Sequence, residues 1–123
     1  MKEVKGEGLP KPVGAYSTAI ISNGFVFLSG QIPLKDGQIY RGEFKEQVKI
    51  VLENAKKILE AAGSSIDKVV KVTIFIRNME RFAELNEVYS EYFKKPYPAR
   101  AVIEVSRLPK DVDVEIEMIA EVE

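Results

Sequence analysis

The feature that most constrains the fold is a change of hydrophobic period near the middle of the chain. Between residues 44 and 62, apolar side chains recur at alternating spacings of three and four: Phe44, Val48, Val51, Ala55, Ile58 and Ala62. This spacing predicts an amphipathic helix of about five turns, and Gly63 stands where a glycine commonly ends a helix. The segments on either side are rich in β-branched and aromatic residues, so we expect helix and sheet in the same fold.

Turn residues divide the rest of the chain into short elements. Asn-Gly at 23–24 lies between two β-rich runs and predicts a tight hairpin, and Asp-Gly at 36–37 predicts a second turn. Residues 69–76 are mostly apolar and β-branched, which predicts a strand. Asn78 is a suitable N-cap for a second helix, which the prolines of residues 95–98 end.

The last quarter of the chain alternates like two strands, over residues 100–105 and 112–119. We expect an antiparallel hairpin in which Ile103 shares the core side with the apolar residues of the second strand. Arg100 would then lie on the opposite face, across from Glu115 and Glu117.

The predicted order is hairpin, helix, strand, helix and hairpin, which indicates one α+β domain over residues 1–123. Its mixed sheet would carry two helices packed on one face. The other face would carry charges together with Val102 and Ile119. A sheet covered on one side only often finds its second cover in another subunit.

Composition excludes several classes of chemistry. The 123 residues include no Cys and no His, so thiol nucleophiles, serine–histidine pairs and most metal sites are excluded, and no metal is expected. Lys and Arg number 18 against 19 Asp and Glu, which argues against nucleic-acid binding through a basic surface. Without a signal-like or membrane-length apolar run, we expect a cytoplasmic protein that does not bind membranes. Its Glu- and Lys-rich, Cys-free composition is common in heat-adapted proteins, so we also expect thermostability.

A few polar residues are candidates for a site, and each also has a plain structural interpretation. Arg100 is either a surface arginine paired with Glu117, which the pattern alone favours, or a planar fork that grips a carboxylate. Glu115 and Glu117 form either a solvated strand face or a pair in which one holds a water. Ser29-Gly30 is either an ordinary strand end or a place where a ligand approaches bare backbone.

Several motifs, taken together, carry a specific resemblance. The stretch Pro98 to Asp111, followed by Val-Glu-Ile-Glu at 114–117, closely resembles the C-terminal signature of the Rid family, the reactive intermediate deaminases, also called the YjgF family. Gly-Ala-Tyr-Ser at 14–17 and Leu-Ser-Gly-Gln-Ile-Pro at 28–33 are similar to two further family elements. The resemblance covers essentially the whole chain in the right order.

This resemblance implies a chorismate-mutase-like α+β fold, assembled as a homotrimer with a cleft between each pair of subunits. It also implies cofactor-independent hydrolysis of 2-imino acids to 2-keto acids and ammonia. The substrates would be the enamine or imine products of pyridoxal-phosphate enzymes, such as 2-iminopropanoate and 2-iminobutanoate. Arg100 would hold the substrate carboxylate and Glu115 would position the attacking water, with Glu117 as the fallback on the same face.

The family positions that line the cleft correspond to Tyr16, Ser29, Gly30, Asn86 and Val102. From the pattern alone, Tyr16 is a packed aromatic and Asn86 an exposed polar residue. The chain departs from the family at three points. Ala15 replaces a usual proline and Thr18 a common glutamine, which puts the placement of the Tyr16 loop in doubt, and Val102 replaces a cysteine found in some members beside the arginine.

Other functions remain open at this stage. The same arginine could serve a non-catalytic module that binds small carboxylates, or a chaperone-like trimer. A chorismate mutase would need several converging cationic groups, and no second arginine has a comparable placement. Some relatives are described as endoribonucleases or translation inhibitors, but a histidine-free chain of net charge −1 is poorly suited to cleaving phosphodiesters.

Overall fold

The computed structural model describes residues 1–122, which form eight strands and two α-helices. The strands are β1 Lys2–Glu3, β2 Ala19–Ser22, β3 Phe25–Gln31, β4 Leu34–Lys35, β5 Gln38–Ile39, β6 Val69–Ile76, β7 Ala99–Glu104 and β8 Val114–Glu121. The helices are α1 Phe44–Ala61 and α2 Phe82–Tyr92. Neither helix is both long enough and apolar enough to cross a membrane.

Six strands form one mixed sheet in the order β1-β2-β3-β8-β6-β7, and β4 and β5 form a separate small hairpin. The β6–β7 pair is parallel, whereas the other neighbours in the sheet are antiparallel. Both helices pack on one face of this sheet, and the hydrophobic core lies between them and the strands. This arrangement confirms the predicted α+β architecture.

Helix α1 confirms the predicted period and its end. The six residues of its predicted stripe are buried. Gly63 takes φ +84°, in the left-handed region that favours glycine. Its N–H donates to the Glu60 carbonyl at 3.1 Å, and the Ser64 N–H donates to the Leu59 carbonyl at 2.8 Å. These two bonds satisfy carbonyls that the helix end would otherwise leave free.

The predicted turns are also present. Asn23 and Gly24 have φ of 50° and 82°, the conformation of a two-residue hairpin turn, and they join β2 to β3. The turn at 36–37 joins β4 to β5 in the same way. Asn78 accepts a hydrogen bond from the Glu80 N–H at 3.0 Å, at the start of the short 3₁₀ turn that leads into α2.

The predicted C-terminal hairpin is wrong. Strand β8 pairs with β3 on one side and β6 on the other, and β7 is the edge strand beyond β6. Helix α2 carries the chain back along β6, so the strand that follows it runs parallel to β6. The connection over residues 105–113 then passes β6, and β8 enters the centre of the sheet.

This topology changes which residues share a face. Arg100 is aligned with Val72, which is buried beneath the helices, so Arg100 points to the helix side. Glu115 and Glu117 are aligned with Phe75 and Thr73, on the face that no helix covers. The prediction that Arg100 lies across from the two carboxylates is therefore wrong, because it assumed direct pairing of β7 with β8.

The same alignment corrects the prediction for Val102. Val102 is aligned with the buried Ile74 and packs against the core, whereas Ile103 lies on the uncovered face and is 42% exposed. Ile119 lies on the uncovered face as predicted, aligned with Phe27. Both sides of β7 carry apolar residues, so alternation alone does not reveal which side faces the core.

Candidate active site

Arg100 lies at the start of β7 against the aromatic side of α2. Its guanidinium carbon is 4.7 Å from the centroid of the Tyr89 ring and 5.7 Å from that of Phe82. Arg100 is half-buried and forms no ion pair with any residue in the described part of the chain. The ion pair with Glu117 that the sequence pattern favoured is therefore absent, and the aromatic faces hold the cation instead.

A cavity of about 330 Å³ adjoins this arginine. Its lining comprises Asn86, Tyr89, Ser90, Tyr97, Pro98 and Arg100. The structure thus brings Arg100 and Asn86 together, as the family resemblance implies. A guanidinium without a protein carboxylate among the described residues, beside an amide and two tyrosines in a concave site, can bind a ligand carboxylate through two parallel hydrogen bonds.

Glu115 lies on the uncovered face of β8, close to the backbone of Gly30. Strand β3 has an irregularity between Leu28 and Gln31, and a Cβ built on Gly30 would overlap the Glu115 carboxylate. A side chain at position 30 would displace the Glu115 carboxylate, so glycine permits this close approach. Burial raises the pKa of Glu115, and the neighbouring Glu117 carboxylate raises it further. A carboxylate with a raised pKa is a stronger base, which suits it to take a proton from water.

Hydrogen bonds hold the 10–18 loop against β3. The Ser29 hydroxyl donates to the Ser17 carbonyl at 2.6 Å, and the Ser29 N–H donates to the Thr18 carbonyl at 3.0 Å. Thr18 is buried, and its hydroxyl donates to the Pro10 carbonyl at 2.8 Å. Thr18 thus holds this loop in place with its own side chain. The Ser29 hydroxyl donates its proton to the Ser17 carbonyl, so in this structure it can only accept a hydrogen bond from a ligand.

Tyr16 and Gly30 line a second cavity of about 510 Å³, away from Arg100. Tyr16 is 51% exposed, and its hydroxyl accepts a long hydrogen bond of 3.4 Å from the Val13 N–H. Glu115 is not among the residues that line this cavity, but its carboxylate lies against Gly30, which does line it.

The residues predicted for one site thus form two groups in the chain. One group combines Arg100 with Asn86 on the helix side at the sheet edge, and the other combines Tyr16, Gly30 and Glu115. Val102 does not line the Arg100 cavity over the residues described. Within residues 1–122 no cluster of three or more acidic side chains could hold a metal ion.

Two supporting features were missed by the sequence analysis. The rings of Phe82 and Tyr89, which hold the Arg100 guanidinium, were not among the candidate residues. Gln47 is 2% exposed; its amide donates to Asp113 Oδ2 at 3.0 Å and its carbonyl accepts from the Asp113 N–H at 3.2 Å. It therefore fixes the chain just before Glu115. The position of Gln47 beside the apolar stripe of α1 was the only sign of this role in the sequence, because a buried polar side chain needs a hydrogen-bond partner.

Comparisons with known proteins agree with this architecture. The family model for endoribonuclease L-PSP matches residues 7–122. A RutC family protein of Pyrococcus horikoshii is 55% identical over 123 residues, which cover 98% of each chain. The structure of RidA from the Antarctic bacterium Psychrobacter has a TM-score of 0.94 at 39% identity, covering 99% of this chain and 100% of that one. The structure of E. coli TdcF with bound serine has a TM-score of 0.92 at 38% identity, covering 100% of both. The chain therefore belongs to the endoribonuclease L-PSP family, which is the Rid or YjgF family that its motifs resemble.

Proposed function

We propose that this protein is a homotrimer that hydrolyses 2-imino acids to 2-keto acids and ammonia without a cofactor. The observation that carries the proposal is the state of Arg100, a half-buried guanidinium held on two aromatic rings with no carboxylate partner among the residues described. Every 2-imino acid has a carboxylate one bond from its reacting carbon. Two parallel hydrogen bonds from Arg100 would set both the position and the rotation of that group.

The trimer supplies what a single chain lacks. Arg100 and Glu115 lie on opposite faces of the sheet and two strands apart, so both cannot reach one small substrate. A head-to-tail contact between the β7 edge of one copy and the uncovered face of the next would bring them together, and such a contact can close into a ring. The uncovered face supports this arrangement, because Phe25, Phe27 and Ile103 are 37%, 44% and 42% exposed there.

With the substrate held by Arg100, the reaction needs one general base and an electrophilic carbon within its reach. A protonated C=N group is already electrophilic at C2. Glu115 takes a proton from water as the water oxygen bonds to C2, and the nitrogen becomes an amine. Glu115 passes this proton to the nitrogen. As the C–N bond breaks and ammonia leaves, Glu115 takes the remaining proton from the C2 hydroxyl, whose oxygen becomes the keto group, and the released ammonia or water carries that proton away. The raised pKa of Glu115 suits these proton transfers.

The relatives add independent support. The related TdcF structure contains serine, a small molecule with a carboxylate next to a carbon that bears nitrogen. A 2-imino acid has the same two groups on adjacent carbons. The Arg100 cavity, at about 330 Å³, has ample room for a molecule of this kind.

The direct test is the decay of an imine made in situ. An amino-acid oxidase converts alanine to 2-iminopropanoate, which also hydrolyses spontaneously in water. We expect the protein to shorten the lifetime of this imine, measured by its absorbance, and the variant Arg100→Ala to remove the effect. A decay rate that does not change with protein concentration would refute the proposal.

A non-catalytic carboxylate-binding trimer is the second candidate, since the same Arg100 cavity supports it. Calorimetric binding of 2-oxobutanoate without accelerated imine decay would favour it. Among the described residues Arg100 is the only cationic residue that lines its own cavity, so that cavity by itself does not supply the several cationic groups that a chorismate mutase needs. Ribonuclease activity, which the name of the family model suggests, is tested by incubation with single-stranded RNA.

A further inference from the structure

The cavity beside Tyr16 has a strongly one-sided charge. Lys11, Arg41 and Lys110 line it, and no acidic residue among those described does so. We call this space the cationic cavity and define it by these three side chains. Its volume of about 510 Å³ exceeds the roughly 330 Å³ of the Arg100 cavity.

Within residues 1–122, none of the three cations forms an ion pair. The ion pairs of residues 1–122 join other side chains, and the nearby Asp111 carboxylate pairs with Arg107 at 3.6 Å. Three cations thus line one concavity without an ion-pair partner among the described residues, so an anion placed there would be attracted by all three.

The backbone at Lys110 gives a second, independent indication. Lys110 and Asp111 have φ of 59° and 56°, two successive non-glycine residues in the left-handed region. Each costs on the order of 1 kcal/mol or more. The Asp111 N–H donates to the Leu108 carbonyl at 3.0 Å, which closes this turn. Strain of this kind is often kept where it places a functional side chain, and here it places Lys110 at the cationic cavity.

We infer that the cationic cavity binds the side-chain carboxylate of the substrate, so that the preferred substrates are 2-imino dicarboxylates. The inference rests on the proposed function. Gly30 lines the cationic cavity and lies against the Glu115 carboxylate, so a substrate reacting at Glu115 would have the cavity beside it, open to a side chain at C3. Arg100 of a neighbouring copy holds the C1 carboxylate. The methyl group of 2-iminopropanoate would gain nothing from three cations, whereas a second carboxylate gains charge-assisted hydrogen bonds.

The test compares 2-iminosuccinate with 2-iminopropanoate, made in situ from aspartate and alanine by amino-acid oxidases. We expect the wild-type protein to have the higher kcat/KM for 2-iminosuccinate. Lys110→Asn keeps a residue that tolerates positive φ, and Arg41→Gln removes a second charge. Each should lower the ratio of kcat/KM for 2-iminosuccinate to that for 2-iminopropanoate by about tenfold or more. Lys57→Gln, which removes a lysine from a neighbouring cavity, is the matched control and should leave the ratio unchanged.

Calorimetric binding separates this inference from the proposed function. We expect 2-oxoglutarate to bind more tightly than 2-oxobutanoate, and Lys110→Asn to remove the difference. If the protein hydrolyses neither imine but this binding difference is found, the proposed function fails and the dicarboxylate site stands. If both imines are hydrolysed with a ratio that Lys110→Asn and Arg41→Gln leave unchanged, the inference fails and the proposed function stands. Binding of inorganic phosphate as tight as that of 2-oxoglutarate would also overturn it, since the cavity would then select charge alone.

Discussion

The guanidinium carbon of Arg100 lies 4.7 Å from the centroid of the Tyr89 ring, while the Tyr89 hydroxyl is buried and has no hydrogen-bond partner among the residues described. Burial raises the pKa of Tyr89 to about 12, although the nearby Arg100 charge opposes this rise, so the phenol stays neutral. Tyr89 therefore acts on Arg100 through its ring face and not through a charge or a hydrogen bond.

Replacing Tyr89 should separate the role of the ring from that of the hydroxyl. Tyr89→Phe keeps the ring, so kcat/KM should stay within about threefold of wild type, and stability should rise by up to about 1 kcal/mol because an unpaired buried hydroxyl is removed. Tyr89→Leu removes the aromatic support of Arg100 and should raise KM by about tenfold with a smaller effect on kcat. Steady-state kinetics and thermal melting check both variants. A loss in Tyr89→Phe as large as that in Tyr89→Leu would show that the hydroxyl itself is needed.

Arg100 should be the side chain that matters most for activity. Losing a bidentate contact in a half-buried site should cost about 2–4 kcal/mol, or roughly 30- to 1,000-fold in kcat/KM, in Arg100→Ala. Arg100→Lys should also fail, because an ammonium is a single mobile donor. Both variants should fold, since Arg100 forms no ion pair within the described chain. The test is the rate of imine hydrolysis by both variants, with thermal melting as the control for folding. Activity within threefold of wild type would show that Arg100 does not bind the substrate carboxylate.

Glu115→Gln should slow turnover far more than it weakens binding, because a group that takes a proton from water acts mainly in the transition state. The readouts are kcat for imine hydrolysis and the Kd of 2-oxobutanoate. Glu117→Gln is the matched comparison on the same face of β8. If Glu117→Gln loses activity and Glu115→Gln keeps it, the roles of the two carboxylates are reversed.

The raised pKa of Glu115 also predicts a pH-dependent stability. A carboxyl group that holds its proton more tightly in the folded state favours folding at low pH, and this contribution is lost as the pH rises through the folded-state pKa. Glu115→Gln should therefore raise the Tm near neutral pH, and the gain should vanish below the pKa of an ordinary glutamate. Melting curves across this range test the sign. The exposed Glu121 on the same strand offers the control Glu121→Gln, which should change the Tm much less.

The proposed trimer predicts a mass in solution of about three chains by light scattering at micromolar concentration. Phe27→Glu places a charge in the middle of the uncovered face, beside Ile119, and should shift the mass towards one chain and abolish imine hydrolysis. Lys57→Gln, on helix α1, should leave the mass unchanged. A wild-type protein that scatters as a clean monomer would refute the inter-subunit site.

Local patterns in the sequence were sufficient for several elements. The helix over Phe44–Ala61, the glycine at its end and the Asn-Gly hairpin depend on residues within a turn or two of one another, and all were predicted. The buried side of β8 was predicted because that strand has a purely apolar side and a mainly acidic one. The motifs also identified the family, and four of the candidate residues line the two cavities: Tyr16, Gly30, Asn86 and Arg100.

Tertiary structure alone decided where the C-terminal strands go and what surrounds their charges. Insertion of β8 between β3 and β6 depends on contacts between residues far apart in the chain, which no local period encodes. Strand β7 has apolar residues on both sides, so only its alignment with β6 placed Arg100 beneath α2 and away from Glu115. For the same reason, the cationic cavity was invisible in the sequence: its lysines and arginine come from three separate loops, and only the folded backbone brings them together.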